Sequence, residues 1–395
     1  MRKIALLLIA CLLLSTAVAF ACSSFRIATT DGCVFYARTM EDPFPMGEIV
    51  TIIPAGTKYT GMLPDGSQGG MKWTTKYGIV GIGALNLPIV CDGMNDAGLA
   101  VGMLLYPGYA DYMKFDATAS ANTITQPEVA TWLLSTCATV ADVRNNIGKI
   151  SVVKGADDHG GSLPLHYTVH DKSGASIVLE YTQGTLHVFE NPFGVMTNSP
   201  SFDWHLTNLK NYANLRASNA PPLTINNVQV TGFGQGTGML GLPGDYTPAS
   251  RFVRLVALTA SSLPVTGADN GLTLAMNIVN NIDIPVGAVR GIEGAPNINT
   301  DGNIKSPGTV AVTESGKIVM DRCLWVDIAD FSRGRYYYRN YNDMNWRYVD
   351  VKQALRVNKT VATIPLYTQG VYIDDTAKAK VLHNANPKFY SFQNP

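Results

Sequence analysis

The periodicities along the 395-residue chain predict a layered α+β domain. Three observations carry that expectation. Strand-like alternation opens and closes the chain, helix-like spacing is grouped in the middle, and strands and helices do not alternate as βαβ units would require. The sequence also shows no internal repeat and no low-complexity linker.

Residues 24–36 read as strand, turn, strand: Phe25-Arg26-Ile27-Ala28, a turn at Asp31-Gly32, then Cys33-Val34-Phe35-Tyr36. Hairpin-like units follow at 77–85, at 89–106 with a turn near Asn95-Asp96-Ala97-Gly98, and at 166–190 with turns at Lys172-Ser173-Gly174 and Gln183-Gly184. Helical spacing covers 127–137, where Pro127 suits a first turn, and 139–147, where Thr139 caps. Further helices are expected over 202–215, over 248–263 capped by Thr247, and over 272–281. Strands return at 310–320, 323–328 and 336–341. Residues 218–244 and 291–308 are irregular and rich in Gly, Pro and Asn, which suits a functional excursion or a plain surface loop equally.

The first residues read as an address. Arg2 and Lys3 precede an apolar run from Ile4 to Leu14, and small residues follow at Ala17, Ala19 and Ala21, the three-part layout of a secretory signal. The run is shorter than the roughly 20 residues of a spanning helix, so no membrane anchor is expected, and the product is expected in the periplasm or secreted. Cleavage after Ala19-Phe20-Ala21 leaves Cys22 first, whereas cleavage after Ala17-Val18-Ala19 leaves Phe20 first; both satisfy the small-x-small rule. Removing 21 of the 395 residues leaves 374, enough for one large domain or two medium ones.

Acidic and basic residues balance at 30 each and charged residues make up only 15% of the chain, which argues against a nucleic-acid partner and for a small molecule. Beyond the leader five cysteines remain, Cys22, Cys33, Cys91, Cys137 and Cys323, an odd number that requires a free thiol or an intermolecular pair. The six histidines show no metal-ligand spacing with cysteines, and His166 and His170, four apart on a strand, fall on one sheet face. Gly236-Thr237-Gly238-Met239-Leu240-Gly241 matches a dinucleotide fingerprint in form only, because Pro243 and Gly244 stand where its helix should run.

An N-terminal cysteine combines a thiol nucleophile with an α-amine of unperturbed pKa about 7.7–8.0 that can take the thiol proton, so no separate histidine base is needed. Arg38 ends the second strand of the first hairpin and so returns beside Cys22, where a guanidinium favours negative charge on sulfur; Glu41 and Asp42 follow it. Asn198 lies between a strand and a helix, a place for an oxyanion-stabilising amide or for a simple turn residue.

Several blocks, in this order, resemble the choloylglycine hydrolase family, which includes bile salt hydrolases and penicillin V acylases. They are Cys22 after Ala-Phe-Ala, Arg38-Thr39-Met40-Glu41, Asp92-Gly93-Met94-Asn95, Thr197-Asn198-Ser199-Pro200-Ser201-Phe202-Asp203-Trp204, and Gly241-Leu242-Pro243-Gly244-Asp245-Tyr246-Thr247-Pro248-Ala249-Ser250-Arg251-Phe252. The resemblance runs from Cys22 to about Val351. It implies a single domain over 22–395 with the four-layer αββα N-terminal-nucleophile fold, two antiparallel sheets between helical layers. It implies Cys22 as nucleophile and base, Arg38 beside the thiolate, Asn198 as oxyanion donor and Arg251 closing the cluster. The family's usual aspartate falls at Glu41, with Asp42 next to it as the alternative. Leu105 stands where the family typically has asparagine or tyrosine. Met40, Phe44, Met46, Leu104 and Leu105 are candidates for an acyl pocket or for ordinary core. The implied activity is hydrolysis of linear amides such as conjugated bile acids or penicillin V, by a homotetramer, with no metal or organic cofactor. Two readings compete: an N-acyl homoserine lactone or N-acyl amino acid amidase on the same scaffold, and a non-catalytic exported binding protein or lipoprotein with Cys22 lipidated or structural.

Overall fold

Alternating side chains build the first hairpin, β1 (Ala21–Ala28) and β2 (Val34–Glu41), whose register sets Cys22 opposite Met40 and Ser24 opposite Arg38. Its turn needs Gly32, at φ +86°, and is braced by the Thr29 hydroxyl donating to Asp31 at 2.6 Å. The computed structural model describes residues 21–43, 45–84, 87–155, 163–290, 320–370 and 372.

In chain order the further strands of the two main sheets are β3 (Ile49–Ile53), β4 (Ile79–Gly83), β5 (Asp92–Asn95), β6 (Leu99–Leu105), β7 (Leu165–Asp171) and β8 (Ser176–Thr182). They continue as β9 (Thr185–Glu190), β10 (Cys323–Asp330), β11 (Arg335–Asn340), β12 (Asp343–Asp350) and β13 (Ala362–Pro365). The α-helices are α1 (Val129–Thr136), α2 (Val140–Ile147), α3 (Phe202–Leu209), α4 (Pro248–Ser261), α5 (Ala268–Val279) and α6 (Val351–Val357). One sheet has the order β1-β2-β10-β11-β12 and the other β9-β8-β7-β6-β5-β4-β3-β13, with every neighbouring pair antiparallel.

Period-two alternation sorts the larger sheet into two cores. Leu99, Val101, Met103 and Leu105 of β6 pack with α1 and α2, whereas Ala100 and Leu104 join the core shared with the smaller sheet. In the smaller sheet Tyr36 reaches across to Asp92 of β5, and its neighbour Phe35 lies against Gly271 of α5 on the opposite face. The layers are therefore helix, sheet, sheet, helix. In α4, Phe252, Leu255 and Val256 are buried, each contributing about 1.5–3 kcal/mol, which holds the helix on the sheet firmly enough to carry a buried arginine.

The hairpin expectations match β1–β2, β5–β6 and β7–β8–β9, and Thr139 caps α2 in a capping box with Asp142. The helix expected to reach 215 stops as α-helix at Leu209 and tightens into a 3-10 turn, Lys210–Tyr212. Thr247 occupies the N-cap of α4, but its hydroxyl donates to Asp245 at 2.6 Å instead of taking a helix N–H. The irregular 218–244 stretch contains a small hairpin, Leu223–Ile225 with Val228–Val230. Residues 291–308 and nearly all of the 310–320 strand expectation lie outside the described residues.

Candidate active site

Cys22 is the second residue of β1 and its side chain enters the space between the sheets. Because Ser24 pairs with Arg38 and Cys22 with Met40, sulfur, guanidinium and thioether share that face. Arg38 Nη2 lies 3.5 Å from Cys22 Sγ and 3.5 Å from Met40 Sδ, and the thiol itself is 3.5 Å from that thioether. The guanidinium is fully buried, stacks 4.9 Å over the Trp325 ring, donates to the Cys91 carbonyl at 3.1 Å and meets Asp92 at 3.4 Å. Burial alone would depress its pKa, but the neighbouring Cys22 and Asp92 outweigh that and hold it above the ordinary arginine value.

Asn198 reaches Cys22 by backbone pairing. Ser24 donates to Met196 O at 2.8 Å and accepts from Met196 N at 3.0 Å, an antiparallel bridge that lays residue 198 beside residue 22. Asn198 Oδ1 accepts from Cys22 N at 2.8 Å and from Arg251 Nη2 at 2.7 Å. Two donors on one atom settle which end of the amide is oxygen. Its Nδ2 then donates to Leu105 O at 2.9 Å. Tyr106 donates to Pro164 O at 2.7 Å, so Leu105 and Leu165 form a non-hydrogen-bonded pair, and the Leu105 N–H faces the same side as its carbonyl, toward Asn198. Arg251 enters from α4, donating to Cys22 O at 2.7 Å, to Ser23 Oγ, and through Nε to Tyr246 O at 2.9 Å.

Cys22, Arg38, Asn198 and Arg251 are thus brought together, all buried. Glu41 is not in the same place. It pairs with Ala21 in register, so its side chain takes the helix-facing side of β2, away from Arg38 and the sulfur. Among the described residues neither of its carboxyl oxygens has a close hydrogen-bond partner, and burial pushes it up to about 8, only partly offset by Arg251. The carboxylate that meets Arg38 is Asp92, whose oxygens accept from Tyr36 at 2.6 Å and Tyr336 at 3.3 Å; burial pushes it up to about 6. Asp42 is buried too, its N–H donating to Arg322 O at 3.1 Å.

Of the acyl-pocket candidates, Met40 touches the sulfur, and Leu104 faces the core between the sheets. The Leu105 side chain turns the other way, into the core under α1 and α2, so only its backbone belongs to the site. Phe44 lies outside the described residues. Sequence reasoning missed Ser23, Trp325 and Asp327, the last directly opposite Arg38 in the β2–β10 register. Pairing between strands almost 300 residues apart leaves no local pattern to find them by.

Residues 22–300 match the family model described as linear amide C–N hydrolases, choloylglycine hydrolase family. The chain is 33% identical over 275 residues to the bile salt hydrolase/transferase of Clostridium perfringens, covering 69% of this chain and 82% of that one. It is 27% identical over 299 residues to the penicillin V acylase of Pectobacterium atrosepticum, covering 70% and 73%. The crystal structure of a variant conjugated bile acid hydrolase from Clostridium perfringens superposes with a TM-score of 0.73 at 27% identity, covering 90% of this chain and 99% of that chain. The four-layer fold and these matches show that the chain belongs to the choloylglycine hydrolase family of linear amide C–N hydrolases.

Proposed function

We propose that Cys22, made N-terminal by removal of residues 1–21, is the nucleophile of an exported amidase. Its substrates are amides joining an apolar or amphipathic acyl group to a small polar amine, such as glycine- or taurine-conjugated bile acids and penicillin V. The observation that carries this reading is the double engagement of Cys22: its sulfur lies against Arg38 while its backbone nitrogen is held by Asn198. The relatives named above support the substrate class, and the family match that begins at Cys22 supports the cleavage site and with it a periplasmic or secreted enzyme.

In the reaction, the Cys22 amine, oriented by Asn198 Oδ1, takes the thiol proton, and Arg38 stabilises the negative sulfur. The sulfur attacks the amide carbonyl. The second Nδ2 hydrogen of Asn198, which has no partner among the described residues, and the Leu105 N–H receive the oxyanion. The protonated amine then gives its proton to the leaving nitrogen, and water resolves the thioester. Asp321 flanks Arg251 and supplies negative charge near the new ammonium. Assembly into a homo-oligomer, a tetramer by resemblance, is part of the same proposal; exposed Leu223, Ile225, Val228 and Val230 on the small hairpin support it.

The test is primary-amine release from glycocholate and from penicillin V by the processed protein and by Cys22→Ala, with intact mass confirming Cys22 as first residue. Release from either substrate that vanishes in the variant is expected. Release that persists in Cys22→Ala would sink the nucleophile assignment.

A further inference from the structure

The two backbone carbonyls that bracket the Asn198 side chain are each held by a buried histidine. His166 Nε2 lies 3.0 Å from Thr197 O, and His205 Nε2 lies 2.8 Å from Asn198 O. The other ring nitrogen of His166, Nδ1, is 3.2 Å from Glu180 Oε1. That carboxylate also accepts from Phe202 N at 3.0 Å, at the first turn of α3, and from Tyr106 Oη at 3.1 Å. The His166 ring stacks on Tyr106 with centroids 4.4 Å apart and planes 7° off parallel.

Both neighbours of His166, a carbonyl and a carboxylate, are acceptors, so a ring that bonds to both must donate from both nitrogens. Two further donors, Phe202 N and Tyr106 Oη, already occupy acceptor sites of Glu180, which places the hydrogen of the Nδ1–Oε1 contact on the imidazole. His205 is in the opposite state. Its Nδ1 has no partner among the described residues and its ring is stacked 4.8 Å from Phe252, so it is neutral with its hydrogen on Nε2; burial lowers it to about 4.

We infer that His166, as an imidazolium paired with Glu180, and His205, as a neutral donor, are positioning residues for Asn198. Together they clamp the peptide on either side of it so that its amide is already aimed when the oxyanion forms. The inference rests on the reading of Asn198 as oxyanion donor. The other titratable groups around the pair are Tyr106 after β6, Asp203 on α3 and Arg251 on α4. A preorganised donor acts in the transition state, so loosening it lowers kcat more than it raises KM.

The experiment compares kcat and KM of His166→Phe, Glu180→Gln and Asn198→Ala on whichever amide the wild type cleaves, together with ring ¹⁵N NMR of His166 at pH 7. His166→Phe keeps the stack and deletes both hydrogen bonds; its kcat is expected to fall about 10- to 100-fold with KM within about threefold. Wild-type His166 is expected to carry protons on both ring nitrogens and the Glu180→Gln protein on one, with a smaller fall in kcat. A folded His166→Phe with wild-type kcat while Asn198→Ala loses activity overturns the inference alone. Asn198→Ala with wild-type kcat overturns the reading of Asn198 and this inference with it. Should His166→Phe not fold, the NMR decides, and a singly protonated His166 in the wild type overturns the imidazolium pair.

Discussion

Arg38 holds a positive charge against sulfur inside the protein, and it can do so because Asp92 and the Trp325 face replace the water it has lost. Arg38→Gln should therefore slow alkylation of Cys22 by iodoacetamide at pH 7 about tenfold or more, with Asp92 taking up a proton. An unchanged alkylation rate would remove Arg38 from the account. A second residue sets an acid limit. His170 is fully buried beside Tyr36, and burial with the Arg26 charge lowers its imidazole to about 3. A histidine in the unfolded chain titrates near 6.5, so the stability tied to neutral His170 is complete above that pH and lost as pH falls toward 3. Between pH 7 and 4.5 the wild type should lose about 2.5 kcal/mol more than His170→Gln in urea unfolding; equal losses would contradict the assignment. Cys22, Arg38, Asn198 and Arg251, which the structure brings together, were each marked in the sequence by a distinctive block. The partner carboxylate was not. A residue count from Arg38 selects Glu41, but strand alternation turns Glu41 to the other face, and Asp92 arrives from the second sheet.

Strand β6 runs beside the Tyr36–Asp92 pair that supports Arg38. Gly102 sits where a Cβ would stand 2.3 Å from Tyr36 Oη and 2.5 Å from Asp92 Oδ2, so the strand can approach them only without a side chain. Gly102→Ala should cost about 1–3 kcal/mol by overpacking and also slow Cys22 alkylation, because the displaced groups hold Arg38. A loss of stability with unchanged thiol reactivity would separate the two effects and refute that link. Hairpins with Gly and Asp turns were visible in the sequence because turn chemistry is local. Strands β3, β12 and β13 and helix α6 were not read. The edge strand β12, Asp-Met-Asn-Trp-Arg-Tyr-Val-Asp, does alternate Met344, Trp346 and Tyr348, but Met344 and Tyr348 stay exposed, so its pattern marks no core face, and β13 ends on Pro365.

At the scale of the whole molecule, the two sheets meet through buried polar groups as well as apolar ones, and the nucleophile strand lies at the edge of the smaller sheet. The order of strands and helices was enough to indicate layers; the long-range pairing of β2 with β10 was not. For the proposed assembly, Val228→Asp should lower the molecular mass measured by light scattering if the small hairpin is an interface, and an unchanged mass would place the contact elsewhere. The bridge between Ser24 and Met196 has a further consequence. It secures β1 along the edge that β2 leaves open, so the strand is held on both sides at Cys22 and Ser24, and Ala21 is paired with Glu41 of β2. On the proposed maturation, the leader-bearing chain already carries a finished site whose nitrogen is a peptide amide and cannot accept a proton. On that proposal such a molecule would be latent, and one bond scission at the Ala21–Cys22 peptide would switch it on.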